Sequence, residues 1–244
     1  MLKLQQLPNK INRLQKRIRE ELRVLNQPMV DLSGIQIPIS YQLSREVREG
    51  LYRGDYEKPE LQMIKVQLRP NDIVMEIGAG IGLISSYCAK MIGSERVFAY
   101  EANPIMERHI RKTYKLNGIC PNLEICMIGT QTGQQTFYVE ENFWSSSGIQ
   151  RSPKAKAIQV PVKSFNQEVR RINPTFLSID IEGGEYDLMQ HADFYNVQRI
   201  VIELHERVIG HDKVEFVKEK LAQAGFQVNE VMSEKEQLFL QRST

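Results

Sequence analysis

The spacing of apolar positions changes along the chain in a regular order, and that order predicts an architecture. Ile11, Leu14, Ile18, Leu22 and Leu25 stand 3, 4, 4 and 3 apart, one stripe on a helix from Asn9 to Leu25 that Gln27-Pro28 ends. Met29 to Tyr41 reads as short strands, with turns at Ser33-Gly34 and Pro38. Glu60 to Leu68 reads as a helix stopped by Pro70-Asn71. From there strands and helices alternate: strand Ile73–Ile77, helix about Leu83–Met91, strand Arg96–Tyr100, helix around Pro104–Asn117, strand Leu123–Met127. The stretch Gln134–Val162 breaks the alternation. It reads as hairpin or loop material in three pieces, Gln135–Val139, Asn142–Gly148 and Ala157–Val162. The alternation then resumes with strand Thr175–Asp180, a helix near Gly184–His191, strand Arg199–Leu204 and helix Asp212–Ala224. Two strands, Phe226–Val231 and Gln237–Gln241, joined at Ser233-Glu234-Lys235, close the pattern. Strands separated by helices imply a parallel sheet covered on both faces. The last hairpin implies one antiparallel strand within it.

The 244 residues suit one α/β domain with additions. Residues 1–60 are expected to be a helical and strand extension, and 61–244 the domain proper, with a β insertion at about 134–162. Apolar residues at 41% and charged residues at 25% are ordinary globular usage. A net charge of +2 selects neither nucleic acid nor an anionic membrane as partner. The basic cluster Lys10, Arg13, Lys16, Arg17 and Arg19 is followed by Glu20 and Glu21, and reads as a solvated helix face. That helix would dock on its own domain, or pair two copies of the chain. Three cysteines, Cys88, Cys120 and Cys126, without a C-x-x-C, favour a reducing compartment over a disulfide framework. There is no 18-residue apolar run and no signal-peptide core, so a cytoplasmic protein with no membrane span is expected.

Chemistry enters with "DIVMEIGAGIGLISSYCA", Asp72 to Ala89. Glu76 closes a buried strand, and Gly78, Gly80 and Gly82 occupy the turn into a helix. Ligands of open α/β sheets sit beyond the carboxyl ends of the strands. A dinucleotide fingerprint needs a glycine at the sixth position from Gly78, where Leu83 stands. A phosphate loop needs Gly-Lys-Ser/Thr, and there is none. An acid before the turn repels phosphate and suits a ligand that is cationic and rich in hydroxyls. S-adenosylmethionine is both. Glu101, in "VFAYEANP", follows Gly82 by 19 positions, where an acid takes ribose hydroxyls in nucleotide-binding α/β folds.

A second constellation is "FLSIDIEGGEYDLM", Phe176 to Met189. Ser178, Asp180 and Glu182 share one strand parity. Glu185 follows Gly183-Gly184, where the helix dipole favours an acid; that accounts for Glu185 and not for Asp180. In "IVIELHE", Val201, Glu203 and His205 share a parity, so Glu203 and His205 are expected in one cleft. Asp180, Glu182, Glu203 and His205 are hard or borderline metal ligands, yet no signature spacing supports a metal, and none is expected. Trp144, in the segment Phe143–Gly148, would stack on a sugar or plug a small core.

Together "GDYEKPE" (Gly54–Glu60), "DIVMEIGAGIGLIS", "VFAYEANP", "SIDIEGGE" and "VIELHE" resemble the FkbM family of S-adenosylmethionine-dependent methyltransferases, over roughly Asp31 to Phe239. The resemblance implies a class I, Rossmann-like α/β fold. Its seven-stranded, mostly parallel sheet has order 3-2-1-4-5-7-6, a C-terminal antiparallel hairpin and helices on both faces. It implies methyl transfer, usually to a hydroxyl of a sugar or secondary metabolite, with a small molecule or glycan as acceptor. The family often carries Asp where Glu76 stands and Asn where Gly80 stands. Carried over by position, Glu76, Gly78, Gly80 and Glu101 contact the cofactor, with Ala79, Gly82, Ala102 and Asn103 completing the same turns. Tyr56 and Glu57 close over it, Ile128 and Gly129 lie by the adenine, and Asp180 lies by the methionine part or the acceptor. Asp180 or His205 is the expected base, with Glu182 and Glu185 holding the acceptor. The rival readings are a nicotinamide-dependent oxidoreductase, an aminopropyltransferase and a non-catalytic adenosylmethionine-binding or oligomerisation module.

Overall fold

The computed structural model describes residues 22–140 and 146–242. The proposed Asn9–Leu25 helix lies outside them except for residues 22–26, which are helical. The basic cluster and Trp144 also lie outside.

The chain opens with a hairpin, β1 (Met29–Leu32) and β2 (Ile35–Pro38), turned by Ser33-Gly34. Two helices follow, α1 (Arg45–Arg53) and α2 (Lys58–Gln67). Alternation then sets in: β3 (Val74–Ile77), α3 (Leu83–Ile92), β4 (Val97–Glu101), α4 (Glu107–Leu116) and β5 (Asn122–Ile125). The expected strand Leu123–Met127 is split. Its end begins a separate strand β6 (Met127–Gly129), which pairs with β8 (Lys156–Ser164), itself paired to β7 (Gly133–Val139). These three form a small sheet beside the main one. Next come α5 (Phe165–Ile172), β9 (Phe176–Ile179), α6 (Glu185–Met189), β10 (Arg199–Glu203), α7 (Glu206–Ile209), α8 (His211–Gln223), β11 (Phe226–Val228) and β12 (Gln237–Arg242).

The main sheet runs β11-β12-β10-β9-β3-β4-β5. Counting only its own strands, this is the expected order 3-2-1-4-5-7-6. Strand β12 is antiparallel to both neighbours, and the rest of the sheet is parallel.

Period-two alternation splits the core into two layers. Val74, Val97, Ala99, Phe176, Val201 and Phe239 face one side, against α2, α3, α4 and the β1–β2 hairpin. Met75, Ile77, Leu177, Ile179, Ile200, Ile202 and Leu240 face the other, against α5, α6 and α8. The helices supply matching stripes: Ile110 and Tyr114 on α4, Val214, Val217 and Leu221 on α8. The hairpin belongs to the first layer. The Asn117 side chain accepts from the Gln36 N–H and donates to its carbonyl, both at 2.9 Å. This satisfies a backbone edge that would otherwise be open. Among the described residues, no helix is long and apolar enough to cross a membrane.

At the amino ends of the strands, Asp72 and Arg199 form an ion pair at 2.6 Å, only 3% and 4% exposed. Asp72 also accepts the Thr175 hydroxyl and the Arg69 N–H, both at 2.7 Å. The carboxyl ends of the same strands are organised differently.

Candidate active site

The three glycines of the β3–α3 turn have three different tasks. Gly78 is left-handed, and a β-carbon there would stand 1.7 Å from the Asp180 carbonyl oxygen. It therefore lets the ends of β3 and β9 touch. Gly80, at φ +55°, would place a β-carbon 3.0 Å from the Tyr56 hydroxyl and 3.1 Å from Glu57 Oε1. It keeps open the space in front of that pair. Gly82 lets α3 pack on Ile110 and Tyr114 of α4.

A cavity of about 400 Å³ lies there, within the size range of small-molecule sites. Gly78, Gly80, Glu101, Ala102, Ile128, Gly129 and Asp180 all line it, and Tyr56 and Glu57 reach it from the start of α2. Glu57 is itself left-handed, at φ +47°. Tyr100, Thr130, Gln135, Phe137, Ser146, Ile149 and His191 also line the wall. Their sequence signal is slight, because most come from strand ends and from the small sheet.

Other expected residues stand behind the wall. Glu76 shares the face of Val74, beneath α3, and accepts the Ser85 N–H at 3.2 Å. Ala79 is buried, its N–H on the Tyr100 carbonyl. Asn103 is buried and accepts the Ile105 N–H. Glu101 uses both oxygens on the two turns, accepting Gly80 N–H at 2.8 Å and Asn103 N–H at 2.7 Å.

Burial governs the electrostatics of this half. It pushes Glu76 up to about 8, against the Ser85 bonds. It pushes Glu101 up to about 7, against the backbone N–H groups of Asn103 and Gly80. Glu57 rises well above the carboxylate range for the same reason, and its Oε2 is shielded without a hydrogen-bond partner.

The second half gathers around His205. Strand β9 ends at Ile179, so strand parity no longer governs Glu182; a left-handed turn at Glu182 and Gly183 directs it instead. Glu185, fully buried at the start of α6, accepts from His205 Nδ1 at 2.7 Å and from the Gly183 N–H at 3.0 Å. His205 Nε2 faces three carboxylates: Glu182 at 3.4 Å, Asp180 at 3.6 Å and Glu203 at 3.8 Å. Glu203 and His205 thus come together, as their spacing suggests, but they and Glu185 stand behind the cavity wall that Asp180 and Glu182 line. Arg151, from the segment before β8, binds Glu182 Oε2 at 2.8 Å and also its carbonyl. No sequence signal marked it.

Burial opposes charge on His205, but Glu182, Glu185 and Asp180 outweigh it and push the imidazole up to about 11. Burial also raises Asp180 well above its ordinary range, with Glu203 adding to the effect. Glu182 moves the other way, since His205 and Arg151 outweigh its burial.

A class I methyltransferase is what this sheet, glycine turn and strand-end acids define. The FkbM methyltransferase domain matches residues 76–228, and the chain belongs to that family. It is an S-adenosylmethionine-dependent methyltransferase. Solved structures similar to it include precorrin-6y C5,15-methyltransferase from Geobacter metallireducens, 15% identical over 81% of this chain and 90% of that one, TM-score 0.46. A ribosomal protein L11 methylase from Lactobacillus delbrueckii subsp. bulgaricus is 14% identical over 89% and 99%, TM-score 0.49. A fibrillarin pre-rRNA processing protein from Methanococcus jannaschii is 14% identical over 90% and 83%, TM-score 0.45. No curated protein matches the chain.

The cavity fits the cofactor. Its acids outnumber its cations, which suits a sulfonium and an ammonium. The space a Gly80 side chain would fill is kept free between the glycine turn and the Tyr56–Glu57 pair.

Proposed function

We propose that the protein methylates a hydroxyl group on a sugar, glycan or secondary metabolite, with Asp180 as the base. One observation carries the reading. Asp180 stands on the cavity wall, its backbone against Gly78 of the cofactor turn and its side chain among the acids around His205. It belongs to both halves, with Glu182 beside it on the wall.

When bound, S-adenosylmethionine supplies an electrophilic methyl on a good leaving group, so the protein mainly orients and deprotonates the acceptor. Glu101 is placed to take the ribose hydroxyls, Ile128 and Gly129 to flank the adenine, and Tyr56 with Glu57 to close over the site. A hydroxyl is a weak nucleophile at neutral pH and gains from a positioned base. A carboxylate raised above its ordinary range accepts a proton more readily than a solvated one. His205, raised to about 11, holds its proton at neutral pH and balances the acids instead. Glu182 stays ionised beside Arg151 and presents an acceptor to a second hydroxyl of the substrate.

The test is transfer of a labelled methyl group to a panel of sugars, glycans and hydroxylated metabolites. Asp180→Asn should cut turnover by roughly 10²-fold or more while S-adenosylhomocysteine affinity changes little. Turnover equal to wild type would remove Asp180 from the role.

A further inference from the structure

We propose that Asp180, Glu203 and His205 bind a divalent first-row cation of the Mn2+ type, beside the cavity whose wall Asp180 forms. The ligand atoms are Asp180 Oδ1, Glu203 Oε1 and His205 Nε2. They come from two adjacent strand ends, β9 and β10, and lie within 4.8 Å of one another.

Distance is the first argument. Donors about 2.1 Å from one ion stand at most about 4.2 Å apart. Nε2 lies 3.6 Å from Asp180 Oδ1 and 3.8 Å from Glu203 Oε1, both inside that limit. Those spacings are too long for direct hydrogen bonds and right for a shared ion.

The second argument is how the ring is held. Glu185 is fully buried and takes Nδ1 at 2.7 Å. That fixes the ring plane and turns Nε2 towards the acids, the arrangement in which a carboxylate orients a metal-binding histidine. Glu185 is held in turn by the Gly183 N–H. Its other oxygen, Oε2, is shut off from solvent and has no hydrogen-bond partner.

Unmatched charge is the third. Asp180 Oδ1 is also shut off from solvent and unpartnered. Glu203 accepts the neutral Gln237 amide at 2.9 Å and shares a hydrogen bond with the carboxyl of Glu60 of α2, so no cationic group other than His205 faces it. Buried carboxylates are expected to be paired or to coordinate metals. Arg151 answers for Glu182 alone. A cation at Nε2 would replace one proton by two positive charges, where three carboxylates converge. Carboxylates with one imidazole suit Mn2+.

Its role rests on the methyl-transfer reading. The ion would accept an oxygen of the substrate as a further ligand and lower the pKa of that hydroxyl. Asp180 would keep its second oxygen for the proton.

The experiment is titration of the metal-stripped full chain with Mn2+, read by loss of the free-ion electron paramagnetic resonance signal. It is run with and without S-adenosylhomocysteine, whose own binding is measured by calorimetry on the same samples. One Mn2+ per chain at micromolar affinity is expected. Glu203→Gln should weaken it at least ~10-fold, and Glu185→Gln by roughly 10-fold through the loosened ring. Thermal melts without metal show that each variant is folded. No saturable Mn2+ binding by wild type, or equal binding by folded Glu203→Gln, overturns the site. A chain that binds S-adenosylhomocysteine but takes up no Mn2+ would overturn the cation site and leave the methyltransferase reading intact. Mn2+ bound by a chain that ignores S-adenosylhomocysteine would support the site and count against that reading.

Discussion

At the amino ends of β3, β9 and β10, Asp72 has Arg199, the Thr175 hydroxyl and the Arg69 N–H, so both of its oxygens accept hydrogen bonds. At the carboxyl ends of the same strands, Asp180 and Glu203 share one histidine with Glu182 and Glu185, while Glu57 and Glu76 each keep an oxygen without a partner. Both regions are acidic, the first fully buried and the second half-buried at Asp180, Glu182 and Glu203. One is closed around its carboxylate by the protein's own groups, with Arg199 Nε left without a hydrogen-bond partner, and holds the sheet together. The other waits for groups that the chain does not supply, and perturbed carboxyls in a cavity are a mark of function. Carboxylates alone therefore do not identify the site; the missing partners do.

The contrast is most sharply tested by breaking the closed end. Asp72→Asn leaves the Arg199 guanidinium buried without its counter-charge and should cost about 3–5 kcal/mol. A melting temperature within a degree or two of wild type would show that the two ends differ less than their geometry implies. Next in size is Asp180→Asn at the open end. It should lower turnover by about 10²-fold with the melting temperature unchanged or raised, since a buried like-charge cluster loses a member. A loss of stability there instead would make Asp180 structural. Third, Glu101→Gln should weaken S-adenosylhomocysteine by roughly 10-fold in calorimetry, because charge-assisted bonds to hydroxyls are lost; unchanged affinity would place the ribose elsewhere.

The smallest effect concerns pH. Glu76 and Glu101 bind protons up to about 8 and about 7 in the folded chain, against an unfolded value of 4.5. Between those limits these two groups hold more protons in the folded state than in the unfolded one, so the stability they contribute is fully present below 4.5 and is lost as pH rises through 7 to 8. Wild type should melt lower at pH ~8.5 than at pH ~5.5. Glu76→Gln keeps an acceptor for the Ser85 N–H and removes the buried charge. Its melting temperature should exceed wild type at the higher pH, and by much less at the lower one. A uniform shift at both pH values would mean Glu76 matters by packing rather than by charge.

Much of this was legible from residues alone. The alternation of apolar runs and helical stripes located six of the seven main strands to within a residue or two, and the glycine turn pointed to the cofactor end. Three helices escaped notice, the four-residue Glu206–Ile209 among them. Arg45–Arg53 buries only Val47, Gly50 and Leu51, a stripe interrupted by glycine. Phe165–Ile172 follows directly on a strand at Ser164, with no turn residue between them. Glu76 was informative in a way its motif hides: it shares the parity of Val74, which puts it under α3 rather than on the wall. Parity failed at Glu182, because the chain had already left the strand for a left-handed turn. The contacts of His205 with Glu185 and of Arg151 with Glu182 lie 20 and 31 positions apart, and only tertiary packing brings them together.

The seam between β3 and β9 also has a kinetic consequence. Ile73 and Thr175 are joined across 102 positions, and the sheet is continuous only once that pairing is made. Strands β3, β4 and β5 are near neighbours in the chain and can pair early. The addition of β9 carries a long loop closure and is slow. Until it happens, β3 exposes an unpaired edge, apolar but for Glu76, to other chains. Its completion brings the acid cluster against the glycine turn, so a chain halted before this point is aggregation-prone and has only the half of the cavity built on β3 and β4.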